Sequence, residues 1–560
     1  MTGGGPGPLE FELVGVEGGV RSVREAGDLI ALRLEDLVEY GVERIADREA
    51  LAQHVLELEH PVDQLLVTHG LEFGAVALHG VSLTVPPGYP AAMSQDVTEL
   101  GVGELGAAYR SGELDPVEVT EAYLDKIAAH RHARSIYRVV TAERARRQAS
   151  SASRLFADGI DLGPMQGVPV AIKDLLDMAG EVSAAGSKVM AERPPAAEDA
   201  PVVARLDEAG AVFLGRTNMT ELAYSGVGIN PHFGTPPCAL DEERVPGGSS
   251  SGSGVAVALG LAAAAVGSDT GGSVRIPAAV NGIVGLKTTD GALPTSGSLA
   301  LSLTLDTIGP MARDTEDAWA LYNALRLAPH TALREAAGGL SLLAPTTLLG
   351  EGLERPVADA FDHALALLGG LGHQVERSPL PRLAEAPALY RDFGSFASHE
   401  AWALYEVELT ERAADFDPRV TSRILEHAER PAKDYIRLHL RREELRQRFW
   451  DELAGVDAIV APTLPLLPPR LEDLASDEEY FRYNALLLRN TAPFNVLGSP
   501  AVSLPVPGHT APGGLSVGLM IAARPGEEEL VMRLARQLER GGASHHAAGG
   551  QHAAGSAMNR

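Results

Sequence analysis

Two short loops rich in glycine and serine, separated by an apolar segment, constrain this chain more than any other feature. Residues 246–254 read PGGSSSGSG and residues 267–275 read GSDTGGSVR. The segment between them, residues 255–266, is about 12 residues long, which is too short to cross a bilayer and too apolar to be exposed. We therefore predict one helix over residues 255–266, buried on all sides, with an ordered loop at each end. A flexible linker does not fit, because a linker is not followed by a segment that belongs in a core.

The composition of the two loops is typical of an acyl-transfer site. Glycine lets backbone N–H groups approach a ligand closely, and successive N–H groups can bind an anion. A serine hydroxyl beside such donors is the arrangement that stabilises a developing oxyanion. A serine nucleophile also needs a base, and neither loop contains a histidine.

Lys173 is the candidate base. It ends the apolar run VPVAI at residues 168–172, which we predict to be a buried strand. Burial disfavours the charged form of a lysine, so a lysine at this position can be neutral and accept a proton. The alternative is a structural ion pair with Asp174 or Asp177, which is the commoner role of a lysine at the end of a strand.

The charge balance and the cysteine content exclude several classes of protein. The 560 residues include 47 Lys and Arg against 75 Asp and Glu, a net charge of −28. This argues against a binder of nucleic-acid backbones and against docking on anionic membranes. Cys238 is the single cysteine, which excludes an internal disulfide and a cysteine-rich zinc site. The N-terminus lacks the basic start and apolar run of a secretory signal, so a cytoplasmic location is expected.

Three regions differ in composition. Residues 1–92 contain no lysine, show helical periodicity around residues 34–58, and form an acidic extension or small accessory region. Met93 follows a break rich in proline and glycine and is a candidate internal start, so residues 1–92 need not be native. Residues 93–540 form the main domain. Residues 541–560 are rich in glycine, alanine and histidine, and we predict that this tail is disordered.

Strand and helix patterns alternate along the main domain. Asp115 and Pro116 begin a predicted helix that runs to about Ala129, and Asp199 to Pro201 open another. Alternation of this kind predicts an α/β fold with a mixed or largely parallel sheet. Further predicted strands cover residues 211–214, 458–460 and 517–521, and further predicted helices cover much of 330–455 and residues 527–538.

Three motifs in this order resemble those of the amidase signature family. They are GVPVAIKD at 167–174, GGSSSGS at 247–253 and DTGGSVRIP at 269–277, with GRTNMTE at 215–221 and APT at 461–463 as further matches. The resemblance covers roughly residues 95–540. It implies an α/β amidase-signature fold with a large mixed, mostly parallel twisted sheet covered by helices on both faces. It also implies an amidase that hydrolyses a carboxylic amide C–N bond through an acyl-enzyme, releases ammonia or an amine, and uses no metal or other cofactor.

The resemblance also assigns roles to individual residues. It implies a triad in which Ser273 is the nucleophile, Ser249, held by a cis peptide bond, is the bridging serine, and Lys173 is the base. The implied oxyanion hole consists of the backbone N–H groups of Thr270, Gly271, Gly272 and Ser273. The implied supporting ion pair is Asp269 with Arg275. The residues expected to line the acyl pocket are Met219, Ala223, Tyr224, Ser225 and Phe233.

Three alternatives remain at this stage. The chain could be the glutamine-hydrolysing subunit of a tRNA-dependent amidotransferase, which shares the triad. It could be a binding protein on the same fold, although the intact triad argues against that. Residues 248–252, GSSSG, also match the nucleophile elbow of α/β-hydrolases, which would make Ser250 the nucleophile. The expected partner is a small-molecule amide, with no direct nucleic-acid contact and no membrane, and a homodimer is an allowed assembly.

Overall fold

The computed structural model describes residues 96–326, 328–334, 338–426 and 428–556, with five short strands before residue 83. The chain divides into two compact units, Met1–Asp96 and Val97–Arg560. The first unit contains an antiparallel sheet of β1 (Val14–Gly15), β2 (Val20–Glu25) and β3 (Asp28–Arg33), and an antiparallel pair of β4 (Ala77–Leu78) with β5 (Val81–Ser82). The helical periodicity expected around residues 34–58 lies outside the described residues.

The second unit contains an eleven-stranded sheet in the order β13-β12-β14-β16-β15-β10-β11-β9-β7-β8-β6. In chain order the strands are β6 (Tyr137–Val140), β7 (Pro169–Lys173), β8 (Val212–Thr217), β9 (Ala264–Asp269), β10 (Val284–Lys287), β11 (Thr307–Ala312), β12 (Ser341–Pro345), β13 (Gln374–Ser378), β14 (Ala458–Pro462), β15 (Ala501–Pro505) and β16 (Gly518–Ala522).

The sheet is mixed, as expected, but antiparallel pairs outnumber parallel ones. Within the described residues, four of its ten strand pairs are parallel, namely β7–β8, β7–β9, β12–β13 and β12–β14. The other six are antiparallel. The α/β fold is confirmed, but fewer than half of the strand pairs in this sheet are parallel. Parallel neighbours need a crossover between them, such as the helix Pro201–Glu208 between β7 and β8. The sequence pattern did not predict β10, β11 and β15, and these strands add antiparallel pairs to the sheet.

Helices flank this sheet, and several of them begin where the sequence patterns predict a helix. The helix predicted from Asp115 is Pro116–Ala129, and the Asp115 carboxylate accepts from the N–H of Val117 at 2.7 Å as a cap. The other α-helices are Val102–Ser111, Ala133–Ile136, Ala142–Ala157, Pro201–Glu208, Ser251–Ala258, Arg275–Asn281, Thr315–Leu325, Arg355–Gly370, Glu385–Phe393, Phe396–Arg412, Pro418–Leu425, Ala432–Glu452, Asp477–Arg489, Ala492–Val496 and Glu528–Ser556. The last of these continues to Ser556, through much of the tail that the sequence predicts to be disordered.

The segment predicted as one buried helix over residues 255–266 is a helix followed by a strand. The helix Ser251–Ala258 begins inside the Gly/Ser run, and Gly260 ends it in the left-handed conformation, with φ 63°. β9 follows and pairs with β7 and β11. The predicted burial is correct, since residues 261–266 are fully buried. The prediction of one helix was wrong because a short apolar run is equally consistent with a buried helix and a buried strand.

No helix within the described ranges combines the length and apolarity that a bilayer crossing requires.

Candidate active site

Lys173 is the last residue of β7, an interior strand that lies between β8 and β9. Its side chain is fully buried. The Nζ atom lies 2.8 Å from Ser249 Oγ and 2.9 Å from Ser268 Oγ. Burial lowers the pKa of Lys173 to about 7, although the charges of Asp306 and Asp269 oppose the shift. A substantial fraction of this amine is therefore neutral near pH 7 and can accept a proton from a hydroxyl.

The ion-pair interpretation of Lys173 is wrong. Asp174 instead accepts from Arg216 Nε at 2.7 Å and from the guanidinium of Arg138. Asp177 accepts from the hydroxyl of Ser183 at 2.7 Å. Because both carboxylates have other partners, the buried amine contacts hydroxyl groups rather than a counter-ion.

Ser249 lies in the first Gly/Ser loop, directly before the helix Ser251–Ala258. The Gly248–Ser249 peptide bond is cis, as the family resemblance implies. The Ser249 carbonyl accepts from the N–H of Thr220 at 3.2 Å, and the N–H of Gly248 donates to the carbonyl of Gly226 at 2.8 Å. These bonds fix the loop against residues 220–226, so the hydroxyl that contacts Lys173 is held by an ordered backbone.

Ser273 lies in the second loop, which follows β9. The N–H of Ser250 donates to the Ser273 carbonyl at 3.2 Å, so the two loops touch. Among the described residues, the N–H groups of Gly271, Gly272 and Ser273 donate to no protein acceptor. Three successive free N–H groups in a turn form the kind of concavity that binds an anion.

Gly272 is required for the shape of this turn. Its φ is 141°, a conformation that residues with a Cβ rarely adopt, and a Cβ would overlap the hydroxyl of Thr491. That hydroxyl donates to the carbonyl of Gly271 at 2.6 Å. Thr491 therefore holds the turn from outside and leaves the N–H groups free.

Asp269 and Arg275 form a fully buried ion pair behind the turn. The distance from Arg275 Nη2 to Asp269 Oδ1 is 3.0 Å, and Nε to Oδ2 is 3.1 Å. Asn495 donates to the same carboxylate at 2.9 Å. Burial raises the pKa of Asp269, but Arg275, with help from Lys287 and Asn495, holds it well below its usual range. The carboxylate also accepts from the N–H of Val274 at 3.1 Å, so the pair fixes the end of the loop.

The residues expected to line the acyl pocket fall into two groups. Ala223, Tyr224 and Ser225 follow Thr220, whose N–H bonds Ser249. The Ser225 hydroxyl accepts from Tyr480 at 2.7 Å, and the Tyr224 ring lies under Arg423, 3.9 Å from its guanidinium carbon. Met219 and Phe233 are held instead by Asn230, which donates to the Met219 carbonyl and accepts from the Phe233 N–H. A pocket role for all five stays a prediction.

The structure adds three polar residues that the sequence reasoning missed. Ser268 contacts Lys173, and Thr491 contacts the second loop. Asp306 accepts from the Thr270 hydroxyl at 2.5 Å and from the N–H groups of Leu301 and Ser302. Ser268 stands inside the GSDTGGS motif and could have been found there. Asp306 and Thr491 lie 36 and 220 residues from their partners, so no local pattern indicates them.

Ser250, the nucleophile of the elbow alternative, has a different environment. No strand precedes it in residues 241–249, apart from an isolated bridge at Arg244. Its hydroxyl donates to the Ser268 carbonyl at 3.2 Å. The strand–turn–helix geometry of an elbow is therefore absent from this described segment. The described residues also contain no group of three or more His, Cys, Asp or Glu side chains that could hold a metal ion.

Comparison with known proteins places these features in a family. The amidase family model matches residues 118–532. The 2-amino-5-chloromuconic acid deaminase of Comamonas testosteroni is 36% identical over 460 residues, 79% of this chain and 96% of that protein. A glutamyl-tRNA(Gln) amidotransferase subunit of Symbiobacterium thermophilum is 33% identical over 472 residues, 78% of this chain and 95% of that protein.

A solved crystal structure of an amidase is also similar. It superposes with a TM-score of 0.71 at 34% identity, and the match covers 79% of this chain and 99% of that one. The family match, the relatives and the solved structure agree with one another and with the sheet described above. This chain therefore belongs to the amidase family and is a hydrolase of carbon–nitrogen bonds.

Proposed function

We propose that this chain hydrolyses a carboxylic amide through a Ser273–Ser249–Lys173 triad and an acyl-enzyme. The observation that carries the proposal is the fully buried Lys173 amine, 2.8 Å from Ser249 Oγ and with a pKa lowered to about 7. A buried amine that contacts hydroxyl groups rather than a carboxylate suits proton transfer better than structural support.

The mechanism is a proton relay followed by acyl transfer. Neutral Lys173 accepts the Ser249 hydroxyl proton, Ser249 accepts the proton of Ser273, and Ser273 Oγ forms a bond to the amide carbonyl carbon. The resulting oxyanion lies against the N–H groups of residues 270–273, whose geometry is supported by Thr491 and the Asp269–Arg275 pair. The C–N bond then breaks, the leaving nitrogen takes the proton from Ser249, and the Lys173 ammonium returns its proton to Ser249. Water repeats the sequence on the acyl-enzyme and releases the carboxylate.

A trapping assay tests this proposal. The purified chain is given aliphatic, aryl and peptide C-terminal amides, glutamine, and 2-amino-5-chloromuconic acid, the compound in the name of its relative from Comamonas testosteroni. The release of ammonia or amine from each compound is measured. Added hydroxylamine should intercept the acyl-enzyme and yield a hydroxamate. Release of ammonia or amine without any hydroxamate would contradict the covalent intermediate.

The second candidate is a glutamine-hydrolysing amidotransferase subunit. It is supported by the 33% identity to a subunit of that kind, which extends over 95% of that protein. The same panel separates the two functions. We expect hydrolysis of simple amides by the chain alone, as a monomer or a homodimer. Activity on glutamine only, and only after addition of a partner subunit, would favour the amidotransferase.

Replacing Asp306 with asparagine should shift the pH dependence of kcat/KM to lower pH. Burial raises the pKa of Asp306 to about 6, so the group is largely ionised at neutral pH and raises the pKa of Lys173. Removing this charge lowers the pKa of Lys173 further, so the neutral amine forms at a lower pH. The measurement is the midpoint of the acid limb of kcat/KM against pH.

Asp290→Asn is the control for Asp306→Asn. It removes an acid that lies beside Lys287 and Arg442, and it should leave the midpoint unchanged. An upward shift in Asp306→Asn would contradict the assignment.

A further inference from the structure

The helix Asp477–Arg489 contacts an irregular segment, residues 224–228, which belongs to neither a helix nor a strand. The N–H of Gly226 donates to Oδ1 of the buried Asn484 side chain at 2.8 Å, and the Ser225 hydroxyl donates to the same oxygen at 3.0 Å. Because an N–H can only donate, the amide oxygen of Asn484 is the atom that faces Gly226. A side chain 258 residues away thus satisfies a buried backbone group of this segment.

The same segment is joined to the loop that carries Ser249. The carbonyl of Gly226 accepts from the N–H of Gly248 at 2.8 Å. A Cβ at Gly248 would lie 2.8 Å from the carbonyl oxygen of Ser225 and 2.7 Å from the backbone nitrogen of Gly228. The two backbones are therefore in direct contact, and a shift of the irregular segment moves Gly248 and the serine that follows it.

The proton relay is sensitive to such a shift. The Ser249 hydroxyl lies 2.8 Å from Lys173 Nζ, and in the relay it also accepts the proton of Ser273. A group that must meet two partners tolerates little displacement, and a shift of about 1 Å can lower a rate by roughly 100-fold. The relay therefore depends on the hydrogen bonds that fix Gly248, the residue before Ser249.

We propose that Asn484 is a positioning residue for Ser249 and acts through the backbones of Gly226 and Gly248. This inference rests on the proposed amidase function. Asn484 takes no part in the proton relay. Its amide oxygen fixes Gly226, the carbonyl of Gly226 fixes Gly248, and the Ser249 hydroxyl is thereby held between the base and the nucleophile.

The first test compares amide hydrolysis by the wild type, Asn484→Leu and Asn484→Asp. Leucine has a shape similar to that of asparagine but cannot accept from the N–H of Gly226, so kcat/KM should fall roughly 10- to 100-fold. Aspartate keeps an acceptor oxygen in the same place and should recover much of this loss. Asn484→Ala, which adds no apolar bulk, replaces Asn484→Leu with the same expectation if the leucine variant does not fold. An unchanged kcat/KM without the acceptor would overturn the proposal.

Tyr480→Phe is the matched control. The Tyr480 hydroxyl donates to the Ser225 hydroxyl at 2.7 Å, so this variant removes a buried hydrogen bond between the same helix and the same segment. The lost bond joins two side chains and leaves the N–H of Gly226 on Asn484, so kcat/KM should change little. A loss as large as that in Asn484→Leu would show that any loosened contact of this helix has the same effect, and would overturn the proposal.

A second readout separates a displaced Ser249 from a general loss of active protein. Ser249 gives a proton to the leaving nitrogen of an amide, whereas p-nitrophenolate leaves an ester without needing a proton. Asn484→Leu should therefore lose more in kcat/KM on an amide than on the p-nitrophenyl ester of the same acid. Partial unfolding would lower both values by the same factor, and equal losses would count against the positioning role.

Backbone hydrogen exchange separates failure of this inference from failure of the amidase function, because it needs no turnover. Exchange is followed by mass spectrometry in peptides that cover residues 224–228 and 246–250. It should be faster in both peptides of Asn484→Leu than in the wild type and Tyr480→Phe. This result supports the positioning role even if no amide is hydrolysed, in which case only the proposed function fails. Unchanged exchange in residues 246–250 overturns the positioning role even if amides are hydrolysed.

Discussion

Replacing Ser273 with alanine should lower kcat by about 10⁶-fold, the order of magnitude for loss of a nucleophilic serine. The hydroxyl is the atom that bonds to the acyl group, so its removal eliminates the covalent route rather than weakening it. The fold should be unaffected, because Ser273 bonds the first loop through its carbonyl, which alanine retains. The measurement is steady-state amide hydrolysis together with the melting temperature. Hydroxamate formation should disappear with the activity.

Two neighbouring serines provide matched controls for this substitution. The Ser251 hydroxyl is buried and has no hydrogen-bond partner among the described residues, so Ser251→Ala should keep activity near that of the wild type. Ser250→Ala removes the bond to the Ser268 carbonyl and also tests the elbow alternative. A loss in Ser250→Ala as large as that expected for Ser273→Ala, with Ser273→Ala active, would move the nucleophile to Ser250 and refute the triad.

The sequence predicts those residues of the site whose positions depend on their immediate neighbours in the chain. Glycine at position 272 is needed for a positive φ and for the close approach of Thr491, so the glycine itself indicates a turn at this position. Lys173 was found because it directly follows a run of apolar residues, and β7 is buried along its whole length. In both cases the position of the residue depends on its immediate neighbours in the chain.

The rest of the site depends on pairing between distant segments. Asp306 reaches Thr270 because β11 pairs antiparallel with β9 and places Thr307 opposite Asp269. Nothing near residue 306 in the sequence indicates that register. The balance of parallel and antiparallel pairs has the same origin, since no α-helix connects the antiparallel neighbours β10 and β11, or β15 and β16, and the pattern of alternating strands and helices therefore does not indicate them.

Replacing Lys173 with methionine should lower kcat/KM by about 10²- to 10⁴-fold, the usual contribution of a general base. Methionine fills similar space in the buried site but cannot accept a proton from Ser249. In the wild type, kcat/KM should rise with pH between about 6 and 8, as the Lys173 amine with its pKa of about 7 loses its charge. The variant should lack this limb. A wild-type profile that falls over this range would contradict a neutral lysine.

The stability of the two proteins gives a second measurement of the same pKa that does not depend on turnover. An unfolded chain keeps the ordinary lysine pKa of about 10.4, so between about pH 7 and 10 the unfolded state binds one more proton at this residue than the folded state. Folding is therefore favoured increasingly as pH rises through this window, and the wild type should gain stability relative to Lys173→Met.

Lys287→Met is the matched control, because Lys287 is also fully buried but contacts the carbonyls of Thr288 and Ser499. It should lower stability while leaving the acid limb of the activity near pH 7. If the limb moves or disappears in Lys287→Met and persists in Lys173→Met, the base is not Lys173.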